Sequence, residues 1–168
     1  MTVQIRTLDS EDAPLYHELR LRALREHPEA FATSYEEARA RSMADVAGRL
    51  APGPEQVTLG AFDHDGLVGM ATLVRPTKAK LRHRATLVAM YVAPEGRERS
   101  LGRALLERIL AVAVEWGVSD VVLAVTVGNH AARKLYASAG FVTYGVEPRS
   151  LCVGGDFYDV ELMNLQLQ

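Results

Sequence analysis

Apolar and polar residues alternate through residues 2–8, TVQIRTL, which is the period of a half-buried strand. The spacing then lengthens. Leu15, Leu19 and Leu24 recur at helical intervals behind Asp9 and Ser10, either of which can cap the helix, and Pro28 stops it. Residues 35–51, YEEARARSMADVAGRLA, predict a second helix, closed by the Pro-Gly-Pro at 52–54. VTLGAFD and LVGMATLVRP follow as strands around a His-Asp-Gly hairpin turn at 64–66. A basic loop, TKAKLRH, leads into ATLVAMYVAP, another strand. From Gly102 onward, Leu105, Leu106, Ile109, Leu110 and Ala113 form one broad stripe, so this helix packs on a sheet. DVVLAVTV is nearly all apolar, as a strand buried on both faces should be. Asn129 can cap the next helix and Gly140 can end it, while SLCV and YDVELMNLQL flank Gly-Gly-Asp as a terminal hairpin. The predicted order is β-α-α-β-β-β-α-β-α-β-β: a mixed α/β domain with a largely antiparallel sheet, one domain over residues 1–168.

Composition narrows the classes. A chain of 168 residues buries a full core, and 48% apolar with 24% charged residues is ordinary for a soluble protein. A net charge of −2 and a pI near 6.2 argue against general nucleic-acid binding. Cys152, the single cysteine, rules out an internal disulfide and a cysteine-clustered zinc site. His17, His27, His64, His83 and His130 show no metal-ligand spacing, so no metal is expected. The opening MTVQIRTLDSED lacks the apolar core of a signal peptide, and no apolar run approaches the roughly 20 residues that cross a bilayer. The expectation is a cytoplasmic protein with no membrane partner.

The chemical signal lies in residues 90–110, MYVAPEGRERSLGRALLERIL, where Arg97, Arg99 and Arg103 stand between a strand and a helix. A helix start already carries partial positive charge, so cations there cost stability unless an anion sits among them. The layout is that of a phosphate cradle, with Ser100 and Gly102 small enough to let a ligand reach the backbone. It is neither a Walker loop nor the Gly-x-Gly-x-x-Gly of dinucleotide folds. Downstream, Asn129 and Tyr136 are two helical turns apart, about 10 Å along the axis and on one face. Solvated arginines are the competing reading of that segment, and the cradle is preferred to it; taken singly, Asn129 reads as a helix cap and Tyr136 as a packing residue. Together they read as one site.

With these residues the chain resembles the GNAT superfamily of acyl-CoA N-acyltransferases across essentially its full length. The family's phosphate motif is Arg/Gln-x-x-Gly-x-Gly/Ala, and Arg97-Glu98-Arg99-Ser100-Leu101-Gly102 matches it except that Ser100 stands where glycine is usual. The resemblance implies a mostly antiparallel sheet of about seven strands with a splayed parallel pair, flanked by about four helices. It also implies acetyl-CoA as cosubstrate, its pyrophosphate held by backbone N–H groups from Glu98 to Arg103. The pantetheine arm would pair with the strand end at Met90, Tyr91 and Val92 and take a hydrogen bond from Asn129. Tyr136 would face the thioester sulfur and protonate the departing thiolate, a phenol of pKa about 10 serving a thiol of about 8.5. Backbone N–H groups near Val92 would stabilise the oxyanion.

The implied activity is transfer of an acetyl group to the primary amine of a small molecule. A protein N-terminus or ribosomal protein as acceptor, and a non-catalytic CoA-binding module, are the competing readings. Phe31, Tyr35 and Glu36, between the first two helices, are the candidates for the acceptor pocket. Thr86 and Ala124 occupy strand positions where a catalytic glutamate is expected, so the base stays open among a water chain, the Tyr91 hydroxyl, His83 and Glu36. An amine of pKa about 10.4 must spend about 3.5 kcal/mol to be neutral at pH about 7.8, so a missing carboxylate favours an acceptor of low pKa. Residues 75–84, RPTKAKLRHR, read as a solvated loop, or as a contact for the coenzyme's 3′-phosphate or for an acidic substrate. The terminal hairpin offers an exposed strand through which two copies would pair as a homodimer.

Overall fold

A computed structural model describes residues 3–64 and 66–167, with the side chains of Glu98 and Arg99 outside the described set. Asp65, in the expected hairpin turn, also lies outside the described residues, as do residues 1, 2 and 168. Seven strands form one sheet: β1 (Gln4–Thr7), β2 (Gln56–Asp63), β3 (Gly66–Val74), β4 (Arg84–Val92), β5 (Asp120–Thr126), β6 (Val142–Val153) and β7 (Asp156–Gln166). Five α-helices accompany them: α1 (Ala13–Glu26), α2 (Tyr35–Arg39), α3 (Met43–Leu50), α4 (Leu101–Glu115) and α5 (His130–Ser138). Four of these have eight residues or more, and α2 is a single turn. Among the described residues no helix is long and apolar enough to cross a membrane.

The strands lie in the order β1-β2-β3-β4-β5-β7-β6. Every neighbouring pair is antiparallel except β4 with β5. The apolar stripe of α4 covers one face. Leu105, Leu106 and Ile109 are at most 1% exposed and pack on Leu59, Ala71 and Leu87 from the strands. Each such side chain contributes about 1.5–3 kcal/mol by leaving water. Gly69 lets the helix come close, because a Cβ there would lie 2.9 Å from Leu105 Cδ1. The other face is covered by α1, whose Leu19 and Ala23 pack on Met70 and Tyr91, and by α3, whose Val46 and Leu50 pack on Leu8.

Two expectations need correction. The helix predicted over residues 35–51 is two helices, because the chain restarts at Ser42, whose Oγ accepts from the Asp45 N–H at 3.1 Å. The terminal hairpin is longer than SLCV suggests, since β6 begins at Val142. Pro148 and two register shifts, at Thr143/Gly145 and Glu147/Leu151, hide it from a period-two reading. As the sheet's edge strand, β6 leaves Val142 and Tyr144 exposed.

The sheet's opposite edge is fastened by charge. Arg6 of β1 forks onto Asp12 at 2.7 and 2.8 Å, and Asp12 also accepts from the Asp9 N–H at 2.9 Å. Hydrogen bonding from Arg6 holds the Asp12 carboxyl below the usual carboxylate range. Because the folded value is lowered, this contribution is complete above about pH 4 and is lost as pH falls through the lowered value. Asp12→Asn is expected to cost about 1–3 kcal/mol at pH 7. In urea titrations the gap between variant and wild type should close toward pH 3, and a gap that persists would remove the ion pair from the account.

Candidate active site

The parallel pair is short. β4 and β5 are in register only at Arg84↔Asp120, Ala85↔Val121 and Thr86↔Val122, yet β4 continues to Val92 and β5 to Thr126. Beyond Thr86 the two strands part, and that edge of β4 has no strand to pair with. The bulge in β4 falls in the same stretch. Met70 pairs with Tyr91 and Thr72 with Val88, so Ala89 and Met90 together oppose Ala71. Ala89 is left-handed, with φ 53°, uncommon outside glycine. A bulge re-aims backbone and side chains, and an open strand edge can accept an extended ligand.

β4 leads through a 3₁₀ turn, Pro94–Arg99, into α4. Ser100, also left-handed at φ 56°, stands at the helix start and makes no side-chain cap. By contrast α2, α3 and α5 are capped by Ser34, Ser42 and Asn129. Ser100 thus supplies no side-chain acceptor to the first N–H groups of this 15-residue helix, as Asp12 supplies none to α1, and such N–H groups are donors that an anion can use. Gly102 lets α4 pack close to α5, since a Cβ there would meet Leu135 Cδ2 at 3.3 Å. Leu101 is 2% exposed and anchors the turn in the core.

The arginines are engaged in several directions. Arg97 donates through Nε to the Val92 carbonyl at 3.0 Å, and its Nη2 lies 3.4 Å from His27 Nε2. Arg103 donates to Ser138 Oγ at 2.8 Å, joining the start of α4 to the end of α5. The side chains of Glu98 and Arg99 lie outside the described residues, although their backbone belongs to the 3₁₀ turn.

Asn129 is the N-cap of α5, its Oδ1 accepting from the Ala132 N–H at 3.3 Å. Two of the readings considered for it are thus compatible, because its amide N–H₂ remains a donor. Tyr136 is 6% exposed and stands edge-on to Phe141, ring centroids 5.8 Å apart. Burial raises its phenol pKa well above the ordinary value, so the group is held protonated.

Phe31, Tyr35 and Glu36 come together as expected. They line an open cleft of about 580 Å³ with Leu24 and Arg25 of α1 and with Leu151, Cys152 and Val153 of β6. Its wall is tied to the end of β5 by Thr126 Oγ1, which donates to the Glu29 carbonyl at 2.6 Å. Leu151, Cys152 and Val153 belong to the predicted strand SLCV, but nothing local in the sequence places that strand beside Phe31. Cys152 is exposed at the rim.

The candidates for a base separate. His83 precedes β4 and lies at the end opposite the cradle, roughly 30 Å along the strand from Val92. The basic loop before it shares that distance, so it is no contact for a ligand at α4, and Arg82 in it pairs with Glu55. The Tyr91 side chain turns toward α1, where its hydroxyl donates to Glu26 Oε2 at 3.1 Å. Burial, then Glu26, raises its pKa. Thr86 is half-buried and Ala124 exposed, with no carboxylate at either place. A water chain and Glu36, within the cleft, remain.

One network was not foreseen. Arg22 of α1 pairs with Glu26 at 2.9 Å and with Glu95 of the 3₁₀ turn at 2.8 Å, so α1 is bound directly to the cradle. The i,i+4 spacing of Arg22 and Glu26 is legible in a sequence, whereas the reach to Glu95 is not.

A family model described as the acetyltransferase (GNAT) family matches residues 15–141. GCN5-related N-acetyltransferase 7, chloroplastic, of Arabidopsis thaliana is 40% identical over 65 residues, 39% of this chain and 24% of that protein. An uncharacterised N-acetyltransferase of Mycobacterium bovis is 34% identical over 83 residues, 49% of this chain and 51% of its own length. The matched segments thus span about a quarter and about half of these relatives. Among solved structures, a GNAT superfamily phosphinothricin acetyltransferase of Sinorhizobium meliloti in complex with acetyl-CoA has the same fold. Its TM-score is 0.84 at 21% identity, over 99% of this chain and 89% of that one.

The uncapped start of α4 yields a direct test. Ser100→Gly relieves a left-handed serine and is expected to add up to about 1 kcal/mol of stability while CoA binding is retained. Ser100→Glu sets a carboxylate among the donors and should weaken CoA at least tenfold by calorimetry. Equal affinity for Ser100→Glu and wild type would remove the phosphate assignment.

Proposed function

The chain belongs to the GNAT family of acetyltransferases, whose enzymes use acetyl-CoA. We propose that residues 1–168 form a single domain that transfers an acetyl group to the primary amine of a small molecule, by direct attack in a ternary complex. The observation that carries this reading is the open edge of β4 beyond Thr86, which ends at an uncapped helix start.

Bound acetyl-CoA supplies the acetyl thioester. Backbone N–H groups at the start of α4, around Ser100, Leu101 and Gly102, hold its pyrophosphate, with Arg97 and Arg103 adding positive charge. The unpaired edge of β4 at Met90 and Val92 lies along the pantetheine arm, and the free amide N–H₂ of Asn129 donates to it. Tyr136 gives its hydroxyl proton to the sulfur as the C–S bond breaks. The proton released by the newly bonded nitrogen restores the phenol, so amine and thioester become amide and thiol with no net proton. The acceptor enters by the cleft of Phe31, Tyr35 and Glu36. A thiol-release assay with acetyl-CoA and a panel of amines tests the activity, and no release with any amine while CoA binds would leave a binding module instead.

Two outcomes are specific. The rate should rise with pH along the deprotonation of the acceptor itself, because neither Thr86 nor Ala124 offers a carboxylate. A lower limb fixed across amines of different pKa would instead indicate an enzyme base. Tyr136→Phe keeps the packed ring and should leave CoA affinity nearly unchanged while kcat falls by about 10²–10⁴. The fall should shrink for thioesters whose thiol has a lower pKa. Wild-type turnover by the variant, with chemistry rate-limiting, would reduce Tyr136 to a packing residue.

A further inference from the structure

Two charged side chains, Arg25 of α1 and Glu36 of α2, line the cleft of Phe31 and Tyr35, and the rest of its described lining is uncharged. Both are exposed, so a molecule in the cleft can reach either of them. The guanidinium carbon of Arg25 lies 5.9 Å from the centroid of the Tyr35 ring, and Tyr35 and Glu36 are consecutive in the first turn of α2. The cation therefore stands close to the turn that carries the carboxylate. A volume of about 580 Å³ falls within the range of small-molecule sites, roughly 300–1,000 Å³.

The two charges are opposite in sign, yet neither is paired. Among the described residues neither side chain makes a hydrogen bond or an ion pair, with the other or with any third group. Charged residues beside them are engaged: Arg22 pairs with Glu26 and Glu95, and Glu37 accepts from the Ser34 N–H at 3.1 Å. A primary amine of pKa about 7.7–10.4 arrives mostly as ammonium at neutral pH. Glu36 attracts that cation and Arg25 repels it. A plain acid meets the reverse. A ligand carrying both signs is favoured by both residues, and a planar guanidinium can take a carboxylate through two parallel N–H···O bonds. Phe31, Leu151 and Val153 offer an apolar wall to the uncharged part of the molecule.

We propose that the acceptor is an ampholyte, a primary amine that also carries a carboxylate, and that Arg25 receives the acid while Glu36 draws in the ammonium. This rests on the reading of the cleft as the amine-acceptor site and names the class of amine that the site takes.

The test has a turnover arm and a binding arm. In the first, kcat/KM is measured for a panel of α- and ω-amino acids and for the amide of each. The acid-to-amide ratio is compared between enzymes, which cancels the different amine pKa of the two substrates. Arg25→Met should lower that ratio at least tenfold through KM, about the step of one charge-assisted bond. Arg25→Lys should restore part of it, because the charge stays and the fork is lost. Arg25→Glu should reverse the preference, taking putrescine over γ-aminobutyrate. Glu36→Gln should lower kcat/KM for acids and amides alike and leave their ratio in place. In the second arm, calorimetry with CoA present follows the N-acetylated acids and their amides, which bind without turnover. The acids should bind wild type at least tenfold more tightly than Arg25→Met, and the amides should not distinguish the two. Arg25 is exposed, so Arg25→Met should melt within about 2 °C of wild type.

A ratio unchanged in Arg25→Met across the panel would overturn the ampholyte site and leave the acetyltransferase reading standing. Unchanged kcat/KM in Glu36→Gln would remove the ammonium half of the site. No turnover with any amine, while the N-acetylated acids still bind through Arg25, would overturn the activity and keep the acid half. If wild type binds no acid of the panel more tightly than its amide, the site is overturned regardless of turnover.

Discussion

The structure turns on a pairing that stops. Three residues of β4 and three of β5 are in parallel register, and the next residues are not. A sheet normally continues its ladder wherever two strands run side by side, because an unmade backbone hydrogen bond in a buried place is costly. Here β4 is held away from β5 by its bulge at Ala89 and Met90, while β5 keeps its full ladder with β7 from Asp120 to Thr126. The core under α4 tolerates the gap because Leu87, Val121 and Leu123 still pack into one cluster below it. Rigid neighbours thus preserve an edge that isolated strands would close.

That gap explains the arrangement around it. The 3₁₀ turn after β4 delivers the start of α4 to its mouth, with Ser100 in a left-handed conformation that directs the chain into the helix. Arg22 and Glu95 fasten the turn to α1, and Arg97 fastens the end of β4 to the same helix through His27. Exposed pairs of this kind contribute little each, about 0–1 kcal/mol, so their consequence is positional more than energetic. They bind α1, which walls the cleft of Phe31, Tyr35 and Glu36, to the turn that opens α4.

Much of this was legible. The α4 stripe, the apolar β5 run and the Arg97–Gly102 motif carry local patterns whose periods and spacings survive in a single sequence. Phe31, Tyr35 and Glu36 line one cleft because they follow one another closely, Phe31 just before α2 and the other two in its first turn. What stayed hidden depends on contacts distant in the chain. The two bulges of β6 break the alternation that marks a strand, so only its end at residues 150–153 read as one, and the approach of Leu151 and Val153 to Phe31 depends on contacts distant in the chain. The break at Ser42 was readable as a cap but was outweighed by the apolar spacing on either side.

The burial of Tyr136 sets a constraint on any proton transfer there. Even with ordinary values, moving a proton from a phenol near 10 to a thiolate near 8.5 is uphill by about 2 kcal/mol. Burial raises the phenol further and steepens the climb. A free phenolate in that position would be a poorly solvated anion beside the apolar edge of Phe141. The phenol can therefore act only while the sulfur is gaining charge, and only if the proton leaving the amine nitrogen arrives without delay. The same burial protects the group at rest, because a hydroxyl that does not ionise near neutral pH is always present as the acid. Depth thus fixes the protonation state at rest, and in the proposed reaction it would bind departure of the thiol to deprotonation of the amine in one coupled event.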